Sequence, residues 1–435
     1  MESISRKLYS LLKAKPVSDS DLNDTRLFML DWTGCFAGGT ATQQGEILSA
    51  YNTKWAGEGL LQSVFLMAAQ SHITETDDLH RGSVTHPACV VFPVAWQLSR
   101  FLKKNLHDCL VASLQGYEVM CRVGEAVGPG HYKIFHNTAT TGVFGAAAAA
   151  SFLLQLSEGQ FVWAMGNAGT QAAGLWQFNE DATMSKHLHA GHAAEAGLKA
   201  ALLAAENFTG TEKIVEGEKG FFAGLCPDPE PDAVLKPSKG WKLSETSIKP
   251  YPSCRHTHPA IDAALAIRSE MELAGVHTSE IGSIEIKTYE TALRFTDNPF
   301  PKSTFAAKFS IQYCVCLALE KGFPMLPHFE GDELLESSSS ELIQKTSVLA
   351  DDSFNTAYPK NWGAQIKIKT GSRVFKAAIK SAKGDPENPL SVEEMVKKYA
   401  GLMTYAGVKK SLSENLSEWI LKADGSTRIP ELIIK

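Results

Sequence analysis

Glu75-Thr76-Asp77-Asp78-Leu79-His80-Arg81-Gly82-Ser83-Val84-Thr85-His86-Pro87 is the stretch around which the chain is organised. Its thirteen residues hold three carboxylates, two histidines, one arginine and three hydroxyls. The flanks, Leu60 to Ala69 and Ala88 to Trp96, carry no charge. Leu60, Leu61, Val64, Phe65, Met67 and Ala68 recur at helical spacing, which predicts a helix before the loop. A polar loop pinned between two buried segments sits near a low-dielectric interior, where its charges must be paired or used. The stretch therefore reads as one wall of an active site in a helical domain.

Working outward, helical pattern dominates the first half. Leu8 to Leu12 begins one helix, and Thr25 to Trp32 forms a second that ends at Gly38 and Gly39. Pro87 and Pro93 bracket the entry to a helix over Val94 to Leu106. Leu110 to Val123 follows, then the break Gly128-Pro129-Gly130. Asn137 to Ser157 and Gly159 to Asn179 carry no charge and approach bilayer-spanning length. They are rich in Ala, Gly, Thr, Gln and Asn, which fits tightly packed buried helices better than membrane spans. A further helix opens at Met184 and runs to Asn207.

The character shifts after Phe221. Pro227, Pro229, Pro231 and Pro237 make a linker-like patch. Ser283 to Tyr289 and Gln365 to Thr370 alternate with strand period, and Arg373 to Ile379 pairs with the latter across Gly371-Ser372. Pro259 to Leu273 and Phe309 to Leu319 read as helices. From Ser391 the pattern is helical again, over Val392 to Leu402 and Leu412 to Leu421. The expected fold is mainly α with an α+β lid: a helical domain over 1–236, an α+β domain over 237–388, and C-terminal helices over 389–435 that return to the helical domain.

The totals exclude several classes. At 435 residues, 44% hydrophobic and 21% charged, the chain has the composition of an ordinary globular protein with more than one core. A net charge of −6 with scattered Lys and Arg argues against nucleic acid and against a polybasic membrane signal. Eight cysteines without a CxxC pair read as reduced thiols, and no apolar leader is visible, so a cytoplasmic protein is expected. No GxGxxG follows a strand, and no Walker loop or GxSxG elbow occurs. The available chemistry comes from His, Lys, Arg, Tyr and carboxylates, an inventory that suits proton transfer beside a carboxylate on an anionic substrate.

Four further clusters carry chemical potential, and each has a plain alternative. His136 precedes the Ala-rich helix; it is either a helix-start residue bonded to backbone or an acid/base group tuned by the helix dipole. Lys186, His187, His189 and His192 crowd one helix start. His189 and His192 share a face, but HExxH is absent and no cysteine is near, so no metal is expected. Lys186 is opposed by the dipole there, as an anion-binding lysine would be. Lys249 to Pro259, with Arg255 and His256, is a surface turn or a cationic helix entry that attracts anions. Tyr313, heading an apolar helix, is a buried hydroxyl or a proton donor.

Together the motifs resemble one family. Asp77-Asp78-Leu79-His80 with His86-Pro87, Phe135-His136-Asn137-Thr138 with Gly142, Lys186-His187-Leu188-His189-Ala190-Gly191, and Lys249-Pro250-Tyr251-Pro252-Ser253-Cys254 are similar in order and spacing to the MmgE/PrpD family. The resemblance implies a cofactor-free enzyme, usually a homodimer, with its active site in a cleft between a helical domain and an α+β lid. It puts catalytic roles on His86, His136, Lys186, Lys249 and Tyr313. It puts substrate contacts on Glu75, Asp78, His80 and Arg81, with Arg255 and His256 setting substrate choice. The implied substrate is a small di- or tricarboxylate. The implied reaction is that of a lyase, dehydrating a 2-methylcitrate-like hydroxy acid or decarboxylating a cis-aconitate-like one. An epimerase of an imino- or amino-linked polycarboxylate such as iminodisuccinate stands as the alternative, and a catalytically silent binding relative as a further one.

Overall fold

The computed structural model describes residues 2–181, 183–330, 341–371, 373–432 and 434. The chain forms two compact units: Met1–Ile73, Asp77–Ser247 and Ser391–Lys435 make the first, and Thr74–Thr76 with Ile248–Leu390 the second. The sequence puts the break near 236. The prolines after Phe221 instead stay with the first unit, because Arg122 donates to the carbonyls of Val234 and Lys236.

The first unit is helical: α1 (Ile4–Ala14), α2 (Asp19–Thr40), α3 (Gln43–Tyr51), α4 (Leu60–Ser71), α5 (Ala88–Phe101), α6 (Leu106–Glu125), α7 (Gly128–Tyr132), α8 (Asn137–Leu153), α9 (Glu158–Gly169), α10 (Gln177–Glu180) and α11 (Ser185–Ala205). Side-chain caps set several starts. Ser18 and Asp21 form a capping box at α2, Ser157 and Gln160 another at α9, and Asn105 accepts the Asp108 N–H at α6. The helices Val392–Tyr405 and Lys410–Lys422 pack on α2, where Lys398 pairs with the buried Asp31.

α8 packs against both α6 and α11. A Cβ on Gly145 would stand 2.7 Å from Met120 Cβ and 2.9 Å from the Gly116 carbonyl oxygen. One on Gly197 would stand 2.4 Å from the Val143 carbonyl oxygen. Close approach of the helices thus accounts for the small-residue runs, and among the described residues no helix is long and apolar enough to cross a membrane. Two boundaries differ from expectation. Gly38 and Gly39 lie inside α2, because Gly39 lets the Gln70 carbonyl approach to where a Cβ would clash. α5 begins at Ala88, with Pro93 within it rather than before it.

The strands β1 (Leu79–His80) and β2 (Thr246–Ser247) form a short antiparallel ribbon in the first unit. The second unit carries a four-stranded sheet in the order β4-β3-β5-β6. β3 is Ile281–Thr288, β4 Thr346–Ala350, β5 Ala364–Thr370 and β6 Arg373–Ile379. β3 pairs parallel with β4 and antiparallel with β5. Ile284, Ile286, Ile366 and Ile368 join Ile261 and Ile267 of the helix His258–Leu273 and Val315 of the helix Ile311–Lys321 in one core. β3, β5, β6 and both helices match the periodicity. β4 was not legible, being a five-residue strand with no fully buried position. Ser372, half of the predicted turn, lies outside the described residues.

Candidate active site

The polar loop begins where α4 ends. His72 is the C-cap of α4, and α5 starts directly after Pro87. Asp78 anchors the loop: its carboxylate accepts the Ala88 N–H at 3.0 Å and the Tyr117 hydroxyl at 2.7 Å. Burial pushes the Asp78 carboxyl well above the usual carboxylate range, despite both hydrogen bonds. The backbones of His80 and Thr85 exchange two hydrogen bonds, and Val84 between them is held at φ 51°. A β-branched residue there stores strain of about 1–3 kcal/mol, which persists only because the surroundings over-determine it. The loop is also latched to the start of α8: the His86 N–H donates to Thr138 Oγ1 at 3.0 Å, and Asn137 Nδ2 to the Ser83 carbonyl at 2.8 Å.

These latches gather imidazoles. The ring centroids of His72 and His86 lie 4.8 Å apart, those of His72 and His136 5.6 Å apart and nearly parallel, and those of His86 and His136 6.5 Å apart. His136, the N-cap of α8, makes no side-chain capping bond; its Nδ1 faces His189 Nδ1 of α11 at 3.3 Å, and Trp176 covers it at 4.9 Å. His187 stands edge-on to His72 at 6.5 Å. Lys186, on the first turn of α11 and buried, is near enough for its charge to act on His136 and His189. The loop, the α8 start and the α11 start thus meet, bringing His86, His136 and Lys186 together.

Tautomers follow from the partners. His86 Nδ1 lies 2.5 Å from the Asp78 carbonyl, so Nδ1 carries the proton and Nε2 is an acceptor. His72 Nδ1 lies 2.6 Å from Asp77 Oδ2, which fixes the same tautomer there. Asp77 Oδ2 is also 3.5 Å from His86 Nδ1. Desolvation, followed by repulsion from His72, His189, Lys186 and His86, holds His136 well below the ordinary imidazole range. Burial first, and then His72, His192 and Lys186, bring His189 to about 4. At neutral pH those two rings are uncharged.

The other loop residues face elsewhere within the first unit. His80 bonds Ser83 Oγ through Nδ1 at 2.8 Å, with Nε2 3.8 Å from both Glu125 and Glu245. Arg81 is buried beside it in the loop. In the second unit, Lys249 donates to the Glu75 carbonyl at 3.1 Å and lies 3.4 Å from Glu75 Oε2, while Lys308 donates to the Thr74 carbonyl at 3.2 Å. Two buried lysines therefore hold residues 74–76. Arg255 pairs with buried Asp385 and contacts His258 Nδ1 at 2.7 Å. His256 is stacked between Trp362 and Phe295 and bonded to the Tyr289 hydroxyl; burial brings it to about 3. Tyr313 donates its hydroxyl to the His328 carbonyl at 2.5 Å.

Two described groups have donor atoms within 4.8 Å of one another: His72, Asp77 and His86, and His80, Glu125 and Glu245. In the first, a 2.6 Å N···O separation is a hydrogen bond; two ligands of one ion at about 2.0–2.2 Å each stand farther apart than that. In the second, the Lys242 ammonium already sits 2.8 Å from both glutamates. In both groups donor atoms are therefore already engaged by a hydrogen bond or an ion pair. His72 was missed as a functional candidate by the sequence, and Asp77 was read only as part of the acidic loop, without a partner of its own. The one signal was their five-residue spacing across the end of α4, which no helical or strand period marks.

Comparison with known proteins gives two adjoining matches. The MmgE/PrpD N-terminal domain family matches residues 7–234, and the MmgE/PrpD C-terminal domain family residues 251–421. The chain is 27% identical to a cis-aconitate decarboxylase of Homo sapiens, over 94% of this chain and 88% of the relative. It is 24% identical to a cis-aconitate decarboxylase-like protein of Aspergillus oryzae, over 88% and 83%. It is 23% identical to a 2-methylcitrate dehydratase of Escherichia coli, over 39% and 35%.

Proposed function

The chain belongs to the MmgE/PrpD family, and from that premise we propose that it is a lyase acting on a small di- or tricarboxylate by proton transfer. The observation that carries the reading is the convergence of His86, His136 and Lys186 in one buried cluster. A bond to a carbon next to a carboxylate breaks only if the electron pair left behind is stabilised. The Lys186 ammonium supplies positive charge for that pair and for a substrate carboxylate, in a low-dielectric setting where it acts strongly. The imidazoles supply or take the proton.

Decarboxylation of a cis-aconitate-like acid stands ahead of dehydration of a 2-methylcitrate-like one. The decarboxylase relatives align over most of the chain, and the Escherichia coli dehydratase over 39% of it. Each relative reported above is named a decarboxylase or a dehydratase, which supports a lyase over the epimerase and the silent protein. The test is incubation with cis-aconitate and with 2-methylcitrate, followed by proton NMR and CO2 release. Loss of CO2 from cis-aconitate is the expected result. Loss of water from 2-methylcitrate alone would make the enzyme a dehydratase, and turnover of neither acid would sink the lyase reading.

We further propose a homodimer. Ile47, Tyr51 and Trp55 fall four residues apart along α3 and its π-helical extension, and Trp55 is 73% exposed. Light scattering should give twice the chain mass, and Trp55→Lys should lower it; a monomeric parent would remove the proposal.

A further inference from the structure

His72 sits inside the imidazole cluster, yet nothing above gives it a task. It is fully buried at the end of α4, and its ring lies 4.8 Å from His86 and 5.6 Å from His136. Its Nδ1–H is committed to Asp77 Oδ2 at 2.6 Å. Its Nε2 is also buried and has no hydrogen-bond partner among the described residues. Leaving a buried nitrogen unpaired costs about 1–3 kcal/mol, a cost that a core position filled by Leu or Phe would avoid. Asp77 Oδ2 lies 3.5 Å from His86 Nδ1 and accepts the His72 Nδ1–H at 2.6 Å. A charge-assisted bond of this length is the arrangement that orients an imidazole and balances it when the ring carries a second proton.

We propose that His72 is a catalytic residue, the acid whose Nε2–H protonates the substrate, and that Asp77 is the positioning residue that holds it. The assignment rests on the lyase reading above and names the proton donor in it. Decarboxylation consumes one proton per turnover. The C–C bond to the departing carboxylate breaks, its electron pair stays on the substrate, and CO2 leaves. The carbon then takes the proton from His72 Nε2, and the neutral ring regains one from water. His136 Nδ1 faces another imidazole, His189, at 3.3 Å, whereas His72 Nδ1 faces the Asp77 carboxylate at 2.6 Å, so among the described rings His72 is the better balanced to carry the second proton. His86 is the nearest competitor, but its Nδ1 is 3.5 Å from Asp77 and bonded to the Asp78 carbonyl instead.

The test separates the two nitrogens. In His72→Asn the amide nitrogen can replace Nδ1–H against Asp77, while the Nε2 function is lost. The expected result with cis-aconitate is a kcat lower by about 10²–10⁴-fold with KM and thermal midpoint near the parent's. A kcat within about threefold of the parent would overturn the assignment and leave His72 a structural partner of Asp77. A second measurement does not need turnover: long-range proton–nitrogen NMR of the rings, with tricarballylate as the probe. His72 should be protonated on Nδ1, and its Nε2 resonance should move when the tricarboxylate binds. A ring protonated only on Nε2, or an Nε2 that ignores the probe, overturns the proposal. A parent that binds tricarballylate at His72 but releases no CO2 overturns the lyase reading instead.

Discussion

The Nδ1 atoms of His136 and His189 lie 3.3 Å apart, so one ring donates and the other accepts. The bond cannot survive if both rings are doubly protonated, since two donors would then face each other. Burial leads the causes that hold both rings neutral, and each is also repelled by His72 and Lys186. His189 itself lowers His136. In His189→Phe that repulsion is gone, so the acidic limb of the kcat/KM profile should move to higher pH. A limb that stays in place would take the protonation of His136 out of the rate.

His136→Ala should lower kcat by up to about 10²-fold, because its ring stacks on His72 at 5.6 Å and a proton donor displaced by about 1 Å loses that much. Lys186→Ala should weaken substrate binding as well as rate, because its charge serves both the bound anion and the developing one. Steady-state kinetics with cis-aconitate distinguishes the two patterns. Unchanged kcat and KM in Lys186→Ala would place the lysine outside the site.

Tyr117→Phe addresses the anchor of the loop. It removes the hydroxyl that donates to Asp78 Oδ2 and leaves a buried carboxylate oxygen short of a partner. The expected cost is about 1–3 kcal/mol of stability. The loss should appear in denaturant midpoints, with kcat per folded molecule close to the parent's, because Asp78 is turned toward Tyr117 and Ala88.

Much of the scaffold was legible because local periods carried it. β3, β5 and β6 alternate, and the helices on either side of the loop are apolar at helical spacing. His86, His136 and Lys186 stood out as polar residues in or beside polar motifs, but it was the family resemblance that gave them catalytic roles. His72 did not stand out, since it caps the end of an apolar helix and gains meaning only when the chain turns Asp77 back onto it at 2.6 Å. Arg255 and His256 show the opposite difficulty. The sequence left both open between a surface turn and an anion-attracting helix entry, and the resemblance had them set substrate choice, but folding gives Arg255 a buried aspartate and His256 an aromatic sandwich.

His256 also makes stability depend on pH. Burial brings it from the ordinary 6.5 to about 3, and His189 to about 4. The unfolded chain therefore binds more protons than the folded one below about pH 6.5, so stability rises with pH in that range and is lost as pH falls toward 4. Each group contributes at most about 1.4 kcal/mol per pH unit. Thermal midpoints should be flat above pH 7 and fall below 6.5. His256→Phe keeps the ring between Trp362 and Phe295, loses the Tyr289 bond, and should show a lower midpoint at pH 7 with a shallower acid slope. An equal slope would assign the linkage to other groups.

Gly145 and Gly159 give opposite expectations for the same substitution. A methyl on Gly145 would meet Met120 Cβ at 2.7 Å and the Gly116 carbonyl at 2.9 Å, and the carbonyl belongs to a neighbouring helix backbone that cannot rotate away. Gly145→Ala gains about 1 kcal/mol of helix propensity but incurs about 1–3 kcal/mol of overpacking. It should lower the midpoint and, through the α8 start, loosen the cluster around His136. Gly159 lies in the first turn of α9 with nothing near its missing Cβ, so Gly159→Ala should stabilise by about 0.4–1 kcal/mol through the unfolded chain. Denaturation curves of the two variants side by side check the close helix crossing directly: a stabilising Gly145→Ala would mean that α6 and α8 are farther apart than 2.9 Å allows.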